Sequence, residues 1–190
     1  LDNGRNQPEL AETLAREAVQ LWRDLKQPMM ASESLTVLAT TLWHQNRIDE
    51  AATCYREAIA IRRELHGEDT TTVATALTNL GSMFLVTGDY EQAEETYLQV
   101  IAMEEAEGNA NRNHSLATTH LMALTLDGLD RKHEAITVEQ RSLQIREQVW
   151  GPNHWHVALS LTALGNLYRE TDRIAESKPL LERSVKIASA

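Results

Sequence analysis

The chain has 190 residues, 42% of them hydrophobic and 24% charged, a composition ordinary for a globular protein and sufficient to bury a core. Its 28 acidic against 18 basic residues leave a formal charge of −10 with no basic run, which speaks against nucleic acid as a partner. No apolar stretch approaches the ~20 residues that cross a bilayer, and the polar opening from Leu1 to Leu10 is unlike a signal peptide, so no membrane association is expected. The single cysteine, Cys54, has no partner for an internal disulfide, which fits a reducing compartment, and the cytoplasm is the expected location.

Residues 1–8 read as a linker. From 9 to 27, Ala11, Leu14, Ala15, Ala18, Leu21, Trp22 and Leu25 form the apolar stripe of one amphipathic helix. The stretch 32–67 then holds two helical patterns. Leu35, Leu38, Ala39 and Leu42 sit at i, i+3, i+4 and i+7 in the first, and Ala51, Tyr55, Ala58 and Ile59 mark the second, with Asn46-Arg47 as the turn between them. The opening helix aligns with this second one, Ala11 on Ala51 and Ala18 on Ala58, so it is the second half of a pair whose first half is absent.

The same pair recurs three more times with a period of 42 residues: 74–108, 115–150 and 157–190. Ala51, Ala93, Ala135 and Ser177 keep the small position of the second helix. Leu38-Ala39, Leu80-Gly81, Met122-Ala123 and Leu164-Gly165 keep that of the first, allowing the two axes to approach closely. Asn46, Gly88, Asp130 and Asp172 are the corresponding turn residues, and Asp89 with Gln92 resembles a helix-capping box. Longer turns, His66-Gly67-Glu68-Asp69, Glu107 to Asn111 and Trp150-Gly151-Pro152-Asn153, close the pairs. These periods predict an all-α solenoid of antiparallel helix pairs forming one continuous domain. No polar capping helix is evident at either end, so the ends are expected to be covered by further chain or by another molecule.

Leu80-Gly81, Phe84, Ala93 and Tyr97 resemble the signature of the tetratricopeptide repeat, and the 42-residue period resembles its kinesin-light-chain subtype. The segments Ala58 to Gly67 and Leu143 to His154, and the early proline in Ser177-Lys178-Pro179-Leu180-Leu181, are similar to that subtype as well. Two positions depart from the pattern: Glu139 and Leu181 stand where Tyr55 and Tyr97 are found.

The resemblance implies a right-handed α-solenoid, a protein–protein interaction scaffold whose first helices line a concave groove for a peptide or partner protein, not an enzyme. Carried over by register, the groove positions are Glu33, Thr36, Val37, Thr40, Trp43 and His44, then Thr75, Thr78, Asn79, Ser82 and Leu85. They continue with His120, Leu124 and Asp127, and with Leu159, Thr162, Asn166 and Arg169. Of these, Thr36, Thr40, Trp43, His44, Thr78, Asn79, Ser82, His120, Thr162, Asn166 and Arg169 are the candidate contact residues. Their short polar groups suit a peptide backbone, and Trp43 suits an apolar anchor. With Arg169 and two histidines as its basic groups, this groove is a poor match for an acidic ligand.

Other classes have less support. No phosphate loop, HExxH or GxSxG sequence occurs, and no cofactor or metal is expected. His154-Trp155-His156 is the nearest approach to a metal motif, without acidic or thiol ligands at matching spacing. Cys54 is expected to be a buried, inert thiol, and Glu104, Glu105 and Glu107 a solvated helix end. The competing reading is self-association, as an end-to-end homo-oligomer or an autoinhibitory module of a larger signalling protein.

Overall fold

Each apolar stripe lies on a helix. The computed structural model describes residues 7–67, 71–106 and 112–189, and among these it contains nine α-helices and no strand. They are α1 (Gln7–Asp24), α2 (Pro28–His44), α3 (Ile48–His66), α4 (Thr71–Thr87), α5 (Tyr90–Ala106), α6 (Arg112–Gly128), α7 (Lys132–Trp150), α8 (Trp155–Glu170) and α9 (Ile174–Ala188). The expected linker up to residue 6, Glu68-Asp69, the loop 107–111 and Ala190 lie outside the described residues.

The short turns share one backbone device. Lys26, Asn46, Gly88, Asp130 and Asp172 all take positive φ, between 54° and 81°, and the next residue's amide donates back to a carbonyl five residues earlier. These bonds are Gln27 to Trp22, Arg47 to Leu42, Asp89 to Phe84, Arg131 to Leu126 and Arg173 to Tyr168, each 2.8–3.0 Å long. This is the closure that ends helices on a left-handed residue, a role Asn and Asp tolerate better than most side chains do. Gly67 and Gly151 end α3 and α7 with φ near 80° and an extended ψ, a combination essentially confined to glycine. At Asp89 the capping box is half made: Gln92 N–H donates to Asp89 Oδ1 at 3.3 Å, and the Gln92 amide donates to the same carboxylate.

The described residues form two compact units, one up to Met83 and one from Phe84 onward. In the first, α1 packs on α2 and α2 on α3. Leu35, Leu38, Ala39 and Leu42 of α2 and Ala51, Tyr55, Ala58 and Ile59 of α3 are all buried. In the second, successive helices from α5 to α9 pack on one another. There Gly165 is required for the approach of α8 to α9: a Cβ on it would stand 2.7 Å from Leu181 Cγ, and its carbonyl accepts from Ser177 Oγ at 2.6 Å.

The repeats are not uniform inside. Glu139 of α7 is completely buried, as is Ser142 at i+3, and Arg146 at i+7 on the same face is nearly so. Aliphatic burial therefore gives way to a polar seam in the third pair.

Candidate peptide-binding face

In the first unit, the candidate residues on α2 and α4 divide by how their polar atoms are used. Thr36 donates to Ser32 O at 3.0 Å and accepts from Arg62 Nη2 at 3.3 Å. Thr40 donates to Thr36 O, and its hydroxyl lies 3.0 Å from Tyr55 Oη. Both hydroxyls thus serve the joint between α2 and α3. Trp43, half-buried, stacks on exposed His44 with ring centroids 5.5 Å apart. On α4, Thr78 donates to Ala74 O at 2.9 Å, and Asn79 and Ser82 are half-buried.

In the second unit, His120 Nδ1 stands 2.9 Å from Glu139 Oε2, leaving Nε2 as the ring nitrogen for other partners. Glu139 Oε1 and Ser142 Oγ, both buried, have no hydrogen-bond partner among the described residues. Thr162 is tied to Ala158 O at 3.0 Å and to Ser184 Oγ at 2.7 Å. Leu124, Asp127 and Asn166 come together: with Ala123, Ala163, Leu167 and Glu170 they line a cavity of about 140 Å³ between α6 and α8. His120, Thr162 and the exposed Arg169 do not line it. Lys132, at the start of α7, donates to Asp127 Oδ1 at 2.8 Å and to Glu170 Oε2 at 2.7 Å; these bonds hold its ammonium well above the usual lysine range. A larger, open cleft of about 570 Å³ is lined by residues of α7, α8 and α9 that include Gln140, Tyr168 and Pro179.

Sequence reasoning missed Glu170 and Lys132, which belong to no repeated position, and the role of Arg62. The guanidinium of Arg62 binds Ser32 Oγ at 3.0 Å and Thr72 O at 3.1 Å. Arg146 repeats the second bond to His156 O at 3.1 Å, two periods later. The spacing of these arginines was the available signal.

The remaining candidates have structural explanations. His154 and His156 stack face to face with centroids 5.3 Å apart, Trp150 lies against both, and Trp155 starts α8 and is 58% exposed. Stacked imidazoles direct their nitrogens sideways instead of toward a common point, and no group of three potential ligands meets among the described residues. Cys54 is half-buried rather than fully buried, and burial pushes its thiol up from the ordinary value. Glu104 is half-buried instead of solvated, while the Glu105 side chain and Glu107 lie outside the described residues. No helix among the described residues is long and apolar enough to cross a membrane.

A tetratricopeptide repeat profile matches residues 29–106, 72–148 and 115–190 in overlapping copies. The kinesin light chain-related protein 3 of Arabidopsis thaliana is 28% identical over 155 residues, covering 82% of this chain. The chain spans about a quarter of that relative's length (24%). Among solved structures, BtubC from P. vanneervenii superposes with a TM-score of 0.84 at 20% identity, covering 98% of this chain and 75% of that one. A kinesin light chain-type protein of nearly identical TPR-like repeats from Podosopora anserina gives 0.81 at 19%, covering 97% and 88%. At such identities the structural likeness speaks for the fold alone: an α-solenoid of repeats of the kinesin-light-chain kind.

Proposed function

Since the chain belongs to the tetratricopeptide repeat family, we propose that it is a protein-binding scaffold, acting in the cytoplasm, that holds an extended peptide of a partner protein on its first-helix face. The proposed pairs are 32–67, 74–108, 115–150 and 157–190, after a lone second helix at 9–27. The observation that supports this most is the cavity lined by Leu124, Asp127 and Asn166, three residues chosen by register alone. A face whose only purpose was to meet water has no need of a recess combining apolar walls with polar atoms at its edge. The charge of −10 favours a protein over nucleic acid as the partner.

Peptides selected from a random display library on the intact chain test the reading. Trp43→Ala and Asn166→Ala are each expected to weaken the selected peptides at least about tenfold, a difference of ~1.4 kcal/mol. Unchanged titration curves for both variants would place the site elsewhere.

A second reading, self-association, is favoured by one feature. Leu10, Leu14 and Leu21 of α1, and Leu25 in the turn just after it, are each more than half exposed, and the three on the helix fall on a single stripe. Light scattering of the wild type should then show mass rising with concentration, abolished in Leu14→Glu/Leu21→Glu. A wild type that stays monomeric at high concentration excludes it.

A further inference from the structure

We propose that the cavity between α6 and α8 receives a basic side chain, lysine or arginine, from the partner peptide. This rests on the peptide-holding reading and goes beyond it by giving the ligand a chemistry.

Size comes first. Small-molecule sites usually enclose about 300–1,000 Å³, whereas this recess holds about 140 Å³, room for one side chain and little more. Its walls match a long aliphatic stem. Ala123, Ala163, Leu124 and Leu167 supply apolar surface, and the two alanines create the space that larger residues would fill. A basic side chain buries its methylenes against such walls while its charged head stays at the edge.

Charge decides the head group. Asp127, Asn166 and Glu170 line the recess, and Asp130, outside the lining, stands 3.9 Å from the ammonium that bridges Asp127 and Glu170. The two lining carboxylates share the single Lys132 ammonium, leaving a local excess of one negative charge, and the exposed Asp130 adds a second outside the lining. Lys132 already demonstrates the chemistry: the Asp127 and Glu170 oxygens hold an ammonium at ordinary hydrogen-bond distance. Neighbouring positive groups do not cancel the excess. Arg131 is engaged by Glu94 and Glu134, and Arg169 is outside the lining. An acidic side chain entering here would meet like charge, and a purely apolar one would strip water from carboxylate oxygens without replacing its hydrogen bonds.

The experiment uses the intact chain and peptides selected on it from a random display library. Selected sequences are expected to share a lysine or arginine at one position. Exchange of that residue for norleucine, which keeps the stem and removes the charge, should weaken binding to wild type at least about tenfold. On Asp127→Asn/Glu170→Gln the same exchange should change affinity less than about twofold. Ala163→Leu, which fills the recess without touching a charge, should weaken the basic peptides as strongly and separates lost recognition from any loss of folding in the charge variant. Acidic or purely apolar peptides that depend on Trp43 or Asn166 would overturn this inference and leave the peptide-holding reading intact. Failure of any peptide to be selected would overturn both.

Discussion

His120→Thr is expected to destabilise the chain by about 3 kcal/mol, and His120→Thr combined with Glu139→Phe to restore most of that loss. In the first pair, Thr36 and Tyr55 occupy the positions that His120 and Glu139 hold in the third. The larger imidazole and the smaller carboxyl exchange volume between them, and the 2.9 Å bond from ring to carboxylate replaces the aromatic fill. Threonine at 120 leaves a fully buried carboxylate with no ring partner beside an oxygen that already has none. Leaving a buried acceptor without its hydrogen bond costs about 1–3 kcal/mol, more for a charged group, whereas replacing both partners by apolar groups of fitting volume is often neutral. Phenylalanine is chosen over tyrosine because Leu124, with no hydroxyl, stands where Thr40 meets the Tyr55 hydroxyl. Glu139→Phe alone crowds His120 and should cost about 1–3 kcal/mol. Urea unfolding followed by far-ultraviolet circular dichroism measures all four proteins. A coupling energy near zero across the cycle would show that the two residues do not act as a pair.

Arg62→Ala should cost a similar amount, about 2–4 kcal/mol, and Arg62→Lys should recover little of it. The guanidinium is buried and serves three acceptors on two helices: Ser32 Oγ and Thr36 Oγ1 of α2 and Thr72 O of α4. Burial pushes it down from its ordinary value, offset in part by the Glu33 charge. A lysine carries three donors on a flexible stem and cannot span acceptors arranged for a planar fork. Thermal unfolding is the measurement, with an expected drop of roughly 4–16 °C for the alanine variant. A lysine variant that melts with the wild type would show that the charge alone matters there.

The helices and their turns were legible because each rests on short-range regularity. Apolar spacing placed the stripes of α2, α3 and α8, and Asn46, Gly88, Asp130 and Asp172 carried their own conformational preference. The site was less so. Thr36, Thr40 and Thr162 look alike in sequence to residues whose hydroxyls are available to a ligand. Whether such a hydroxyl turns to a carbonyl four residues back is decided by the helix and its neighbours. Glu139 stood out as a departure from Tyr55 and Tyr97, yet its partner became visible only when two columns of the repeat were compared together, threonine with tyrosine and then histidine with glutamate. The recess depended on Ala123, which keeps the repeated small position, but also on Ala163, whose counterparts are Val37, Asn79 and Leu121, and on the reach of Lys132 from a third helix. No periodic signal encodes that convergence.

The coupling of His120 to Glu139 also limits how this molecule can be reshuffled. Both residues lie within one helix pair, so exchange of whole pairs between related proteins, with crossovers in the connecting segments, carries the match along intact. An exchange that splits α6 from α7 would bring histidine against tyrosine or threonine against glutamate, one combination overfilled and the other leaving a charge stranded. The unit of inheritance or of grafting in this chain is therefore the pair and not the single helix.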